Sequence, residues 1–252
     1  NVSIRHRVCA VDMDALAGMG GLKRLILRTP NLGNIDSIGG AGSLKELFLW
    51  GAVRDLSPLI KLPNLETLTL HASPVQDLSP LSGLQNLKTL RLQAGFVWNY
   101  NGLMNARKLR HLHVSEAQAL VLENVKVLRQ LHGLTLHRGK PKDWAALEEL
   151  PWLRHLDVSF TNFTDVGLLK KLPRLKSFGC AGCRLKGGAQ FSDLADLEEV
   201  NIAGASGGPT LIQLGGMVDL KKLTIRKGQF GRTSIRRLIR QRPQLRVVYA
   251  SG

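Results

Sequence analysis

A six-residue pattern, L-x-x-L-x-L, recurs through this chain with a nearly fixed period. Its first positions are Leu22, Leu44, Leu65, Leu87, Leu109, Leu131, Leu153, Leu175, Leu197, Leu220 and Leu245, spaced by 22, 21, six times 22, then 23 and 25. A register held that long is not a product of chance, and it constrains the fold more than composition does. In the copies Leu65, Leu68, Leu70 and Leu87, Leu90, Leu92 the leucines alternate like one face of a strand, aliphatic inward and polar outward. Elsewhere Val114, Val158, Phe178, Cys180, Val200 and Ile202 take the same inward slots.

The segments between strands carry a second comb: Val75, Leu78, Leu81 and Leu84 in one copy, Phe163, Val166, Leu169 and Leu172 in another. Spacing by three predicts a short helical or 3₁₀ turn with one buried side. A lone copy has nothing to bury that face against, so neighbouring copies must stack into one continuous core. The chain therefore reads as one domain over 1–252: an N-terminal cap over 1–21, repeats over 22–231, and a basic capping helix with a last strand over 232–252. A cap strand is expected around Arg7 to Val11. At the other end Thr233 or Ser234 is placed to N-cap a helix whose Ile235, Leu238 and Ile239 share a face, with Pro243 just beyond it.

These repeats resemble the 22-residue class of leucine-rich repeats, known from bacterial internalins and a protein phosphatase regulatory subunit. The likeness extends from about residue 16 to the end, and LPNLETLTLHASPVQDLSPLSGLQNLKTLRL, from Leu62 to Leu92, lies close to the class consensus. The resemblance implies an α/β solenoid: a horseshoe with a parallel concave sheet of about eleven strands and short helical or 3₁₀ convex turns. It also implies a binding scaffold whose ligands meet the concave face. The family usually places Asn or Cys eight residues after the first leucine. Here that slot holds Ser73, Gly95, Ala117, Gly139, Thr161, Cys183 and Ala205, so the family's buried asparagine ladder is missing. Local irregularity is expected there, with turn carbonyls and amides seeking other partners.

Strand alternation selects the side chains that face out from the sheet. In the middle copies these are Arg110, His111, His113 and Ser115, then His132, Thr135, His137 and Arg138, then Arg154, His155, Asp157 and Ser159. Counting His71, six of the seven histidines fall on this face. Imidazoles beside arginines suit the binding of phosphates or carboxylates, and more so as they protonate below about pH 6.5. The plainer alternative is that polar residues fill solvated strand positions. Phe48 and Trp50 are outward near the start, and Phe96 and Trp98 flank an inward Val97, so these aromatics are candidate interface anchors or covers for neighbouring loops.

Charge is the other functional signal. Thirty-five Lys and Arg stand against nineteen Asp and Glu, a formal +16 that favours polyanionic partners. The last 32 residues contain ten Lys and Arg and no acid. Arg232, Arg236, Arg237, Arg240 and Arg242 cluster on or beside the terminal helix, where they can track a phosphate backbone or an acidic subunit, or simply form a solvated basic face. The three cysteines are too few and odd in number for a secreted disulfide framework, so a reducing, intracellular setting is expected. No apolar stretch is long enough for a spanning helix. The chain begins at Asn1 rather than Met, so the lack of a targeting segment carries no information.

Several motifs with apparent chemistry read more simply as structure. His113, His137 and Asp157 come from three successive copies about 4.8 Å apart, but no compact ligand motif supports a metal. His155, Asp157 and Ser159 supply the residue types of a hydrolase triad, yet same-face neighbours on one strand sit about 6.6 Å apart and point in parallel. Cys180 and Cys183 have redox spacing but occupy an inward slot and the Asn/Cys slot, as buried structural thiols do. Gly39, Gly40, Ala41 and Gly42 lack the Gly-Lys-Ser/Thr of a phosphate loop. The expectation is a non-enzymatic scaffold without a cofactor, metal or small-molecule substrate. It is expected to dock a protein partner and RNA or another polyanion, with a purely protein-directed adaptor or bacterial effector as the alternative.

Overall fold

The computed structural model describes residues 1–5, 18–30, 32, 34–93, 97, 99–116 and 122–250. Among these residues twelve strands lie in one sheet in chain order, β1 to β12, every neighbour parallel. They run β1 Val2–Arg5, β2 Arg24–Arg28, β3 Glu46–Trp50, β4 Thr67–His71, β5 Thr89–Gln93, β6 His111–Ser115, β7 Gly133–His137, β8 His155–Asp157, β9 Ser177–Gly179, β10 Glu199–Asn201, β11 Lys222–Arg226 and β12 Arg246–Ala250. The eleven strands expected from the leucine pattern are β2 to β12. A twelfth, β1, pairs Val2 with Leu25 and Ile4 with Leu27. The cap strand expected around Arg7 to Val11 lies outside the described residues.

Register follows the repeat. Leu47, Leu68, Leu90, Leu112 and Leu134 are successive Cα partners, and so are Leu49, Leu70, Leu92, Val114 and Leu136. These residues and all eleven first-position leucines are buried in one hydrophobic cluster that runs the length of the sheet. On the convex side, five- or six-residue 3₁₀ turns bury Leu59, Leu81, Leu103, Leu147 and Leu169. Each turn is closed by its own short amide bond, such as Leu62 N to the Leu59 carbonyl and Leu84 N to the Leu81 carbonyl. In the C-terminal half an aromatic file replaces some aliphatics. Trp144 meets Phe163 edge-on at 5.1 Å, Phe163 meets Phe178 at 5.8 Å, and Phe178 meets Phe191 at 6.2 Å.

At the described copies of the vacated asparagine slot the turn keeps one recurring form; Gly95 and Ala117 lie outside the described residues. In seven of the described coils the residue seven positions after the first leucine adopts positive φ: Gly51, Ala72, Glu116, Arg138, Phe160, Gly182 and Gly204. The turned amides of Gly51, Ala72, Glu116, Arg138, Phe160 and Gly182 each donate to a carbonyl in the next coil: His71, Gln93, His137, Ser159, Ala181 and Ala203. Ser73, Thr161 and Cys183 add side-chain bonds from the vacated slot, Ser73 Oγ to the Gly51 carbonyl at 2.9 Å and Thr161 Oγ1 to the Val158 carbonyl at 2.6 Å. Gly51 cannot be replaced, because a Cβ there would fall onto the Thr29 carbonyl.

Two helices appear near the C-terminus. Helix α1, Leu211–Gly216, opens with a capping box between Thr210 and Gln213. Helix α2, Arg232–Gln241, is capped by Gly231 without a side-chain bond, so Thr233 and Ser234 lie inside its first turn rather than at its cap. Ile235 and Leu238 are buried as expected, but Ile239 is exposed, since α2 rests on the last coils along a stripe narrower than three residues.

Candidate functional site

The concave face is built from the outward positions of each five-residue strand. On β6 to β8 it presents His111, His113, Thr135, His137, His155 and Asp157. Gly133 lies between His111 and His155 in the register, and a Cβ there would stand 2.6 Å from His111 Nδ1. His111 thus leans over a strand with no side chain at that point. Gly179 does the same for Asp157, whose carboxyl carbon would lie 2.7 Å from an added Cβ. The result is a polar hollow of about 200 Å³ lined in part by Thr135, His155, Asp157, Ser177, Gly179 and Asn201.

Across the hollow's margin three coils are linked in zigzag. The rings of His113 and His137 meet edge-on at 5.5 Å, and His137 Nε2 lies 3.2 Å from Asp157 Oδ1. Burial raises the Asp157 carboxyl's pKa, but His137 and the bonds donated by Ser159 outweigh it and hold the acid below the usual carboxylate range. Burial holds His113 below the ordinary histidine value, helped by His137 and Arg91 and opposed by Asp157. His111 is lowered likewise by burial, then by His155, His132 and Arg91.

Ser159 does not face outward. It is 3% exposed, its hydroxyl donates to Asp157 Oδ1 at 2.6 Å, and its oxygen accepts from the Ala181 amide at 3.0 Å. Strand β8 ends at Asp157, and alternation ends with it. The carboxylate therefore lies between imidazole and hydroxyl, whereas a hydrolase triad needs the imidazole between acid and nucleophile. Among the described residues no group of three His, Cys, Asp or Glu is arranged to hold a metal ion. Cys180 and Cys183 are buried free thiols, with Cys183 Sγ 3.3 Å from the Val158 carbonyl and burial pushing the Cys180 thiol up.

The remaining candidates divide by position. Arg110, His132 and Arg154 precede their strands and lie along the leading edge, where the chain comes into the sheet. Arg138 follows β7 on the trailing edge, in the left-handed turn. Phe48 and Trp50 are half-buried on β3, each 6.5 Å from His71, with the Arg28 guanidinium 5.0 Å above Phe48. His71 Nδ1 is buried there without a hydrogen-bond partner among the described residues. Phe96 and Trp98 lie outside the described residues.

Helix α2 exposes Arg232, Arg236, Arg237 and Arg240, and none of them has an acidic partner among the described residues. Arg232 occupies the first turn, where a cation opposes the helix dipole. Arg242 differs. Its Nη1 donates to the Gly215 and Met217 carbonyls at 3.0 and 2.9 Å, and its Nη2 to Val218 and Leu220 at 2.8 and 3.2 Å. That guanidinium closes the end of α1 and is turned into the chain. Lys221 and Lys222 are likewise paired, with Glu198 at 2.5 Å and Glu199 at 3.4 Å.

Sequence reasoning passed over Gly133 and Gly179, which shape the hollow, and Trp152. The Trp152 ring is stacked at 19° to His132 with centroids 6.3 Å apart, and Arg174 lies 3.8 Å over it. Trp152 and Arg174 fill the same slot of consecutive repeats, 22 residues apart, so the period itself held the signal.

No protein-family model matches the chain, and no curated protein does. Solved structures do. An internalin (inlF) of Listeria monocytogenes aligns over 100% of this chain and 79% of its own, with a TM-score of 0.77 and 20% identity. Internalin C2 of the same organism aligns over 85% and 82%, with a TM-score of 0.52 and 22% identity. A leucine-rich-repeat protein of Leptospira interrogans aligns over 93% and 62%, with a TM-score of 0.69 and 17% identity. Likeness at such low identity is a likeness of fold.

Proposed function

We propose that this chain, a leucine-rich-repeat protein in fold, is a non-enzymatic binding scaffold and an interaction subunit of a ribonucleoprotein or other polyanion-containing assembly. The observation that carries this reading is the C-terminal end: α2 exposes four arginines with no acid in the last 32 residues to neutralise them. Arg232 costs the helix stability where it sits, which a folding role does not explain and an external anion does. The His and Arg strip of the concave sheet, with its polar hollow, offers a second contact for the same assembly. The buried free thiols suit a reducing interior, and no helix among the described residues is long and apolar enough to cross a membrane.

The test is a titration of short labelled RNA at two salt concentrations. Each phosphate contact releases counterions, so affinity should fall steeply between about 50 and 200 mM salt. Arg232→Glu/Arg236→Glu should weaken binding at low salt while leaving the thermal midpoint unchanged or slightly raised. Undetectable or salt-indifferent binding would remove the polyanion from this reading.

A second reading has its own observation, the Arg28, Phe48, His71 and Trp50 group on β2 to β4. Half-buried aromatics grouped on a rigid sheet are suitable anchors for a protein partner without nucleic acid. In an adaptor of that kind Trp50→Ala abolishes partner co-purification and Arg236→Glu has little effect.

A further inference from the structure

One residue per coil on the leading edge forms a column that reads Lys88, Arg110, His132, Arg154, Lys176, with Glu66 before it and Glu198 after. The outer members are matched to those acids: Lys88 Nζ lies 2.6 Å from Glu66 and Lys176 Nζ 3.8 Å from Glu198. The inner members have no acidic partner among the described residues. Beside them Arg174 lies over Trp152, also without an acid. The basic run is thus closed at both ends and open in the middle, about 4.8 Å from one coil to the next.

Trp152 gives the run its rigidity. The ring is 43% exposed, yet one side carries the Arg174 guanidinium at 3.8 Å, and His132 stacks with it at 6.3 Å. His132 is itself held by Nδ1 at 2.8 Å from the Gln130 carbonyl. A stacked guanidinium keeps its in-plane N–H fork free for a phosphate while losing little further freedom on binding. The Arg174 guanidinium covers one face of the indole, so less of this ring is open to a base or to an apolar partner than in a bare tryptophan.

We infer that this leading edge binds the phosphodiester backbone of a single nucleic-acid strand through Arg110, Arg154 and Arg174, by charge and without reading bases. The inference rests on the polyanion reading above and deepens it: it takes Arg110 and Arg154 of the His and Arg strip, adds Arg174, and names the ligand they hold. A single file of cations follows one strand, and a site that touches neither base nor sugar treats RNA and DNA alike.

The experiment measures short labelled oligo(U) and oligo(dT) against the full chain and two variants. One is Arg110→Gln/Arg154→Gln/Arg174→Gln on the edge, and the other is Arg236→Gln/Arg240→Gln on α2. The unsubstituted chain should bind both probes within about threefold of each other. The edge variant should lose at least about tenfold in affinity, and its log–log salt slope should fall by about 2, as the loss of three phosphate contacts requires. An edge variant that binds like the parent while the α2 variant loses binding overturns the edge and leaves the proposed function standing. A parent chain that binds neither probe overturns both. Displacement of the probes by polyglutamate of equal charge, at equal concentration, assigns the edge to an acidic protein segment and overturns the strand.

Discussion

Arg242 shows how little a residue's type says about its task. It is one of ten cations in an acid-free stretch, and from sequence it belongs with the arginines of α2. Its four acceptors lie 22 to 27 residues upstream, from the last turn of α1 through the segment that follows it to Leu220, and the leucine period does not announce that helix. Replacing it with methionine keeps the stem and removes the fork. The expected cost is about 2–3 kcal/mol in urea denaturation, with Arg242→Lys recovering less than half, because an ammonium cannot span four carbonyls. Ser159 carries the same lesson in reverse. Alternation turns it outward, but a hydroxyl small enough to be bonded by Asp157 and Ala181 settles down instead.

The strands and turns were almost wholly legible, since β2 to β12 and the 3₁₀ turns follow from which residues must be apolar. What the pattern could not resolve is where each strand stops. Arg110, His132 and Arg154 are polar and adjacent to outward positions, yet they fall before the ladder begins, while Arg138 falls after it ends. The His113, His137 and Asp157 link joins three elements. His111 and His113 have depressed pKa values in the folded chain, so the unfolded chain takes up more protons as pH drops below about 6.5, and folding loses stability from there downward. Asp157, also depressed, adds a further loss as pH falls below about 3.9 and through its folded pKa. Thermal midpoints from pH 7 to 5 should therefore decline in the parent chain and decline less in His111→Asn/His113→Gln. Equal slopes in the two proteins would show that these imidazoles do not carry the effect.

At the scale of the molecule, each coil touches only the coils beside it, and the core is one file of leucines without a centre. Stability is then close to a sum of neighbouring interfaces. Leu134→Ala, in the middle of β7, should cost about 2–5 kcal/mol, and the damage should stay local. Amide exchange should accelerate first over β6 to β8 and last over β2 to β4, whereas a chain that opens as one unit would show the same change throughout.

The left-handed turns after the strands bear on how such a chain can change. Their shape is imposed by an amide reaching a carbonyl of the coil ahead, and alanine, glutamate, arginine and phenylalanine all accept it. A position that tolerates side chains so unlike one another is a row of interchangeable sockets. New chemistry can be fitted along that rim, one coil at a time, without disturbing the frame behind it.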